Sequence, residues 1–147
     1  MRVLIVGYGN PLRGDDGVGR EVARRLASEH DDPDVEILTE LQLKPELAEL
    51  MSRAQIAIFI DARADGQPGE VRIEEVFPSE PERTSTHQFA PPMLLMTAQI
   101  LYSRIPRTFL VSIGGQNFEL SEGLSEPVEG AIPEVLATVR RLAALLS

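Results

Sequence analysis

The chain has 147 residues, 43% hydrophobic and 25% charged, enough for one domain that buries roughly 68–70% of its unfolded surface. Fourteen Lys and Arg against 23 Asp and Glu give a formal charge of −9. That balance offers no electrostatic footprint for nucleic acid or an anionic membrane, and it favours a peptide, a protein or a cation as partner. The absence of cysteine excludes disulfides, thiolate zinc sites, iron–sulfur ligation and a cysteine nucleophile.

Met1-Arg2 lead into Val3–Val6, an apolar run that reads as a first strand and is too short for a signal-peptide core. No segment approaches the ~18 apolar residues of a membrane span, so a cytoplasmic protein is expected. The strand is followed by Gly7-Tyr8-Gly9-Asn10-Pro11-Leu12-Arg13-Gly14-Asp15-Asp16-Gly17, a glycine-bearing loop ahead of a helix that starts at Val18. Val22 and Leu26 share the face of Val18, and His30 lies at the helix end among solvated charges. Val35–Leu38 predicts a second strand, and a short helix is predicted from about Pro45 to Ser52. Ile56–Ile60, the most apolar run, predicts a strand that ends in Asp61. The alternation Glu70-Val71-Arg72-Ile73-Glu74 predicts a half-exposed edge strand.

Pro78–Ser85 carries the strongest loop signal in the chain. Pro91-Pro92 then open a helix carrying Leu94, Leu95, Ala98, Leu101 and Tyr102, with Met93 and Met96 read as core filler. Phe109–Ile113 predicts the last strand and Gly114–Gly130 a long connection. A final helix is predicted from near Pro133, burying Leu136, Val139, Leu142 and Leu146. The alternation of strands and helices specifies a single three-layer α/β domain over residues 1–147. Its sheet is mostly parallel, twisted and five-stranded, with one antiparallel edge strand and helices on both faces.

Three side chains are the candidates for chemistry. Asp15 and Asp16 precede a helix, where one carboxylate can serve as a cap. Both cannot occupy one cap position, so Asp16 is the candidate working carboxylate, with Asp15 capping or supporting. Asp61 is placed by its strand at the carboxyl edge of the sheet, where ligands of open α/β sheets bind. His87, in Thr84-Ser85-Thr86-His87-Gln88, lies in a loop expected to open at the same edge. Two carboxylates and an imidazole leave the metal unspecified. Three side chains also leave coordination positions open, so a metal would be held weakly or shared. A dinucleotide reading of Gly7-x-Gly9 is disfavoured, because position 12 is Leu and the two aspartates would repel a phosphate.

Gly7-x-Gly9-Asn10-x-Leu12-x-x-Asp15-Asp16-x-x-Gly19, the apolar strand ending in Asp61, and His87-Gln88 together resemble the NiFe-hydrogenase maturation endopeptidases. The resemblance runs through essentially the whole chain. It implies a cytoplasmic, monomeric peptidase that removes a short C-terminal extension from the hydrogenase large-subunit precursor once nickel is in place. It also implies Asp16, Asp61 and His87 as metal-contacting and catalytic residues, with nickel supplied by the substrate. Many members carry Asp-Gly-Gly-Thr after the second strand. This chain has Thr39-Glu40-Leu41-Gln42-Leu43-Lys44-Pro45-Glu46-Leu47, which resembles the branch serving soluble, cofactor-linked hydrogenases and is expected to bear on which precursor is accepted. Two other readings of the chain are a nickel-sensing scaffold that does not cut and a peptidyl-tRNA hydrolase-like enzyme. The acidic balance argues against the second of these, since tRNA wants a basic groove.

Overall fold

A computed structural model describes residues 1–80 and 90–146. Five strands form one sheet in the order β2-β1-β3-β5-β4: β1 (Val3–Tyr8), β2 (Val35–Glu40), β3 (Ile56–Arg63), β4 (Val71–Val76) and β5 (Arg107–Gly114). β1 pairs in parallel with β2 and β3, and β3 with β5. β4 runs antiparallel along the β5 edge, as its half-exposed alternation predicts.

Side-chain alternation along the strands builds two cores. Val3, Ile5, Ile56, Ile58, Ile60, Val111 and Ile113 meet α1 (Val18–Glu29) and α4 (Glu126–Ala143) on one face. Leu4, Val6, Ala57 and Phe59 meet α2 (Leu47–Arg53) and α3 (Pro91–Tyr102) on the other. Strands buried on both sides read as continuous apolar runs, which is why β1 and β3 stood out in the sequence.

Several boundaries differ from the predictions. α4 begins at Glu126 with Pro127 in its first turn, and Pro133 lies inside it. The periodic burial of Val128, Ala131, Ile132 and Val135 carries the helix through a proline expected to open it. The connection after β5 is shorter by the same residues. β3 runs on through Asp61 to Arg63, so Asp61 sits within the strand, opposite Ser112 of β5. Leu101 and Tyr102 of α3 are exposed, and Met93 and Met96 are only half-buried and outside the core cluster. His87 and residues 81–85 of the expected loop lie outside the described residues. Among the described residues no helix is long and apolar enough to cross a membrane.

Candidate functional site

β2 lies on one side of β1 and β3 on the other, so the chain reverses its winding direction between the carboxyl ends of β1 and β3. A crevice forms at such a point. The loop after β1 descends into it through Gly9, whose φ is +139°; a Cβ there would fall 1.9 Å from the Asp16 carbonyl oxygen. Only glycine allows the loop to fold back on itself so tightly.

The loop then closes through its own backbone. Asn10 N–H donates to Asp16 Oδ2 at 2.7 Å, Asn10 Oδ1 accepts from Leu12 N–H at 2.9 Å, and Arg13 N–H donates to the Asn10 carbonyl. Gly14–Gly17 form a single 3-10 turn leading into α1.

The paired aspartates divide their work, although not as a cap and a free carboxylate. Gly17 is the N-cap of α1, and no side chain caps the helix. Asp15 is fully buried and turns away from the crevice. It accepts the N–H groups of Gln116 and Asn117 at 2.7 and 3.0 Å and the N–H and hydroxyl of Ser125 at 2.7 and 2.8 Å. Burial opposes its ionisation, but these donors outweigh burial and hold its pKa below the usual value. Asp15 thus supports the site by stapling the β5–α4 loop to the turn that carries Asp16.

Asp16 faces the crevice, a cleft of about 690 Å³ that it lines with Asp61, Tyr8, Asn10, Arg13 and the segment 39–44. Asp61 lies on the sheet face of Phe59 by strand alternation. Its Oδ1 accepts the Ala62 N–H at 2.8 Å, and the Tyr8 hydroxyl donates to its carboxylate. Burial pushes the Asp61 pKa up to about 7; those two donors offset part of the rise, and the charge of Asp16 adds to it. Burial, then the neighbouring Asp61, holds the Tyr8 phenol well above its ordinary value, so Tyr8 remains a neutral donor. Its ring meets Phe59 edge-on, with centroids 6.4 Å apart.

Two carboxylates on one cleft, one with its proton affinity raised towards neutrality by burial and by its neighbour's charge, form a site that a divalent cation would relieve. Among the described residues no cluster of three His, Asp or Glu converges for a metal ion. The structure thus brings Asp16 and Asp61 together, while His87 falls outside what it describes.

Solved structures of high similarity share this arrangement of elements. A NiFe hydrogenase maturation protease, HycI, from Thermococcus kodakarensis superimposes with a TM-score of 0.78 at 24% identity, covering 97% of this chain and 92% of that one. The fold here is that of the hydrogenase maturation proteases. The maturating endopeptidase HybD of Escherichia coli matches with a TM-score of 0.72 at 23% identity, over 95% of this chain and 90% of its own. A hydrogenase 2 maturation peptidase from a Thaumarchaeota archaeon matches at 0.71 and 24% identity, over 99% of both chains. No family model and no curated protein matches the sequence.

Within this maturation-protease fold, Tyr8 is the site residue that sequence reasoning missed. Its signal was parity: it follows Leu4 and Val6 on β1, and therefore shares the sheet face of Phe59 and Asp61. The segment 39–44, which departs from the Asp-Gly-Gly-Thr pattern, forms one wall of the cleft. Leu43 and Leu47 anchor it in the core.

Proposed function

We propose that this protein is an endopeptidase that removes a C-terminal extension from the nickel-loaded precursor of a NiFe-hydrogenase large subunit. The observation that carries this reading is the convergence of Asp16 and Asp61 on one cleft at the strand-order reversal. The fold, shared with proteins described as hydrogenase maturation proteases, supports it.

In this reading Asp16, Asp61 and His87 contact the nickel of the precursor, which belongs to the substrate. Docking it there holds the scissile bond in the cleft, and positioning of this kind can supply on the order of 7–11 kcal/mol of the barrier reduction. With no cysteine and no serine in a nucleophile-elbow pattern, the attack falls to water rather than to a covalent nucleophile. The water oxygen adds to the peptide carbonyl carbon and a cleft carboxylate takes its proton. That proton passes to the departing amine as the C–N bond breaks.

The test is to incubate the protein with nickel-loaded precursor and weigh the product by mass spectrometry. Loss of a C-terminal peptide is expected, and Asp16→Ala or His87→Ala should abolish it while the circular dichroism spectrum stays native. An uncut precursor held in a stable complex would overturn the peptidase reading in favour of a nickel-sensing scaffold.

A further inference from the structure

The cleft carries both signs of charge. Asp16, Glu40 and Asp61 line it together with Arg13, Lys44 and Arg20, the last in the first turn of α1. Arg20 also lines an adjoining cavity of about 480 Å³ that runs past Pro11 to Leu124 and Glu129. The two cavities share Arg20 and Thr39, so Arg20 stands at their junction.

Its pairing is unlike that of the arginines that follow it. Arg24 and Arg25 both bind Glu21, and Arg25 also reaches Glu129 at 2.7 Å. Arg20 is half-buried, yet among the described residues no hydrogen bond or ion pair engages it. A guanidinium that lines two cavities without a counter-ion keeps its N–H donors available to a ligand. Glu21 and Glu129 line the same adjoining cavity, yet their ion pairs are with Arg24 and Arg25 rather than with Arg20.

We propose that Arg20 binds one carboxylate of the peptide substrate, a few residues from the scissile bond. The peptide carrier rests on the peptidase reading above, whereas the carboxylate preference rests on the cleft itself. The planar guanidinium fork matches a carboxylate with two parallel hydrogen bonds. Asp16, Glu40 and Asp61 line the same cleft and oppose any anion there, a dianion such as phosphate about twice as strongly as a single carboxylate.

Arg20 and Asp61 line one cleft of about 690 Å³, and Gly19 lets the helix that carries Arg20 approach the strands closely. A Cβ at that position would lie 2.1 Å from the Ile60 carbonyl oxygen and 2.9 Å from that of Tyr8. The first turn of α1 is therefore pressed onto the backbone of the strands bearing Tyr8 and Asp61, and Arg20, the next residue, lines the same cleft as their side chains. With an extended chain advancing about 3.3–3.6 Å per residue, a carboxylate on Arg20 and a carbonyl beside Asp61 fit on one short peptide. The adjoining cavity takes chain that continues beyond it.

The carboxylate has two possible sources, a C-terminus or an acidic side chain, and three N-acetylated alanine pentapeptides separate them. One has a free C-terminus, one is its C-terminal amide, and one is that amide with a central Glu. Each is titrated into the full-length protein while the Arg20 Nε–Hε resonance, assigned from Arg20→Lys, is followed by NMR. A saturable shift is expected with one or both acid-bearing peptides, and whichever binds names the source. Arg20→Gln should weaken that binding by about tenfold or more, and the surface control Arg141→Gln should not. Equal binding of the neutral amide, unchanged binding by Arg20→Gln, or no saturable shift with any peptide overturns the proposal. An uncut precursor alongside Arg20-dependent peptide binding would remove the peptidase reading and leave the carboxylate site standing. The reverse pair of results would remove only the carboxylate site.

Discussion

The turn around Asp15 and the cleft around Asp61 each bury a carboxylate, and the two respond in opposite directions. Asp15 receives three backbone N–H groups and a hydroxyl, and its pKa falls. Asp61 receives one backbone N–H and one phenol against the charge of Asp16, and its pKa rises to about 7. Burial is common to both, so the donors and the neighbouring charge decide the sign. A carboxylate saturated with donors is a structural staple. One left short of them, beside a like charge, is available for a cation or a proton.

Substitutions should break this comparison in opposite ways. The largest effect expected is on activity: Asp61→Asn should abolish precursor processing, with unfolding free energy at pH 8 unchanged or raised, because an uncompensated buried charge has been removed. Processing assays and urea melts on the same sample would check both halves. Asp15→Ala should do the reverse to stability. It strands three backbone donors and should destabilise the fold by at least about 3 kcal/mol, read as a lower urea midpoint at constant slope.

The pH dependence sharpens the contrast. Asp61 binds its proton more tightly folded than unfolded. The metal-free protein should therefore lose stability as pH rises from about 4 towards 7, by at most about 1.4 kcal/mol per unit, and Asp61→Asn should flatten that limb. The lowered pKa of Asp15 contributes stability that is present above the ordinary carboxylate range and is lost as pH falls below it, and Asp15→Ala should flatten that acid limb. Denaturation series at stepped pH would resolve the two limbs. A smaller effect is expected for Tyr8→Phe, which removes a donor to Asp61. The Asp61 carboxyl carbon, followed by 13C NMR, should titrate at higher pH, with a stability change of about 1 kcal/mol. The smallest belongs to the surface pair linking α1 to α4: Arg25→Ala should cost about 0.2–1 kcal/mol, measured by thermal denaturation.

The sheet, its edge strand and the helix starts at Val18 and Pro91 were legible because each rests on local periodicity or a proline in a first turn. The start of α4 was misread because Pro133 looked like an opening signal, whereas Pro127 fills that place. The apolar positions 128, 131, 132 and 135 continue the helical period backwards across Pro133, and that pattern was in the sequence to be weighed. Asp16 and Asp61 could be chosen from their positions relative to two strands. The partners of Asp15 could not, since Gln116, Asn117 and Ser125 lie more than a hundred residues away and carry no local mark of the contact. Arg20 carries no local mark in the sequence; the two cavities that meet at it and its lack of a partner among the described residues set it apart.

That separation also bears on the order of assembly. The segment holding Asp16 is tied to partners supplied by the last third of the chain, through Asp15 and through the Gly14 N–H to Ser121 and Ser121 N–H to Leu12 bonds. During synthesis, β1, α1 and β3 can form from the first half of the polypeptide, but the turn that carries Asp16 gains its fixed shape only when residues 116–125 arrive. The candidate site is therefore assembled late, delayed by topology until the sheet that bears the cleft is complete.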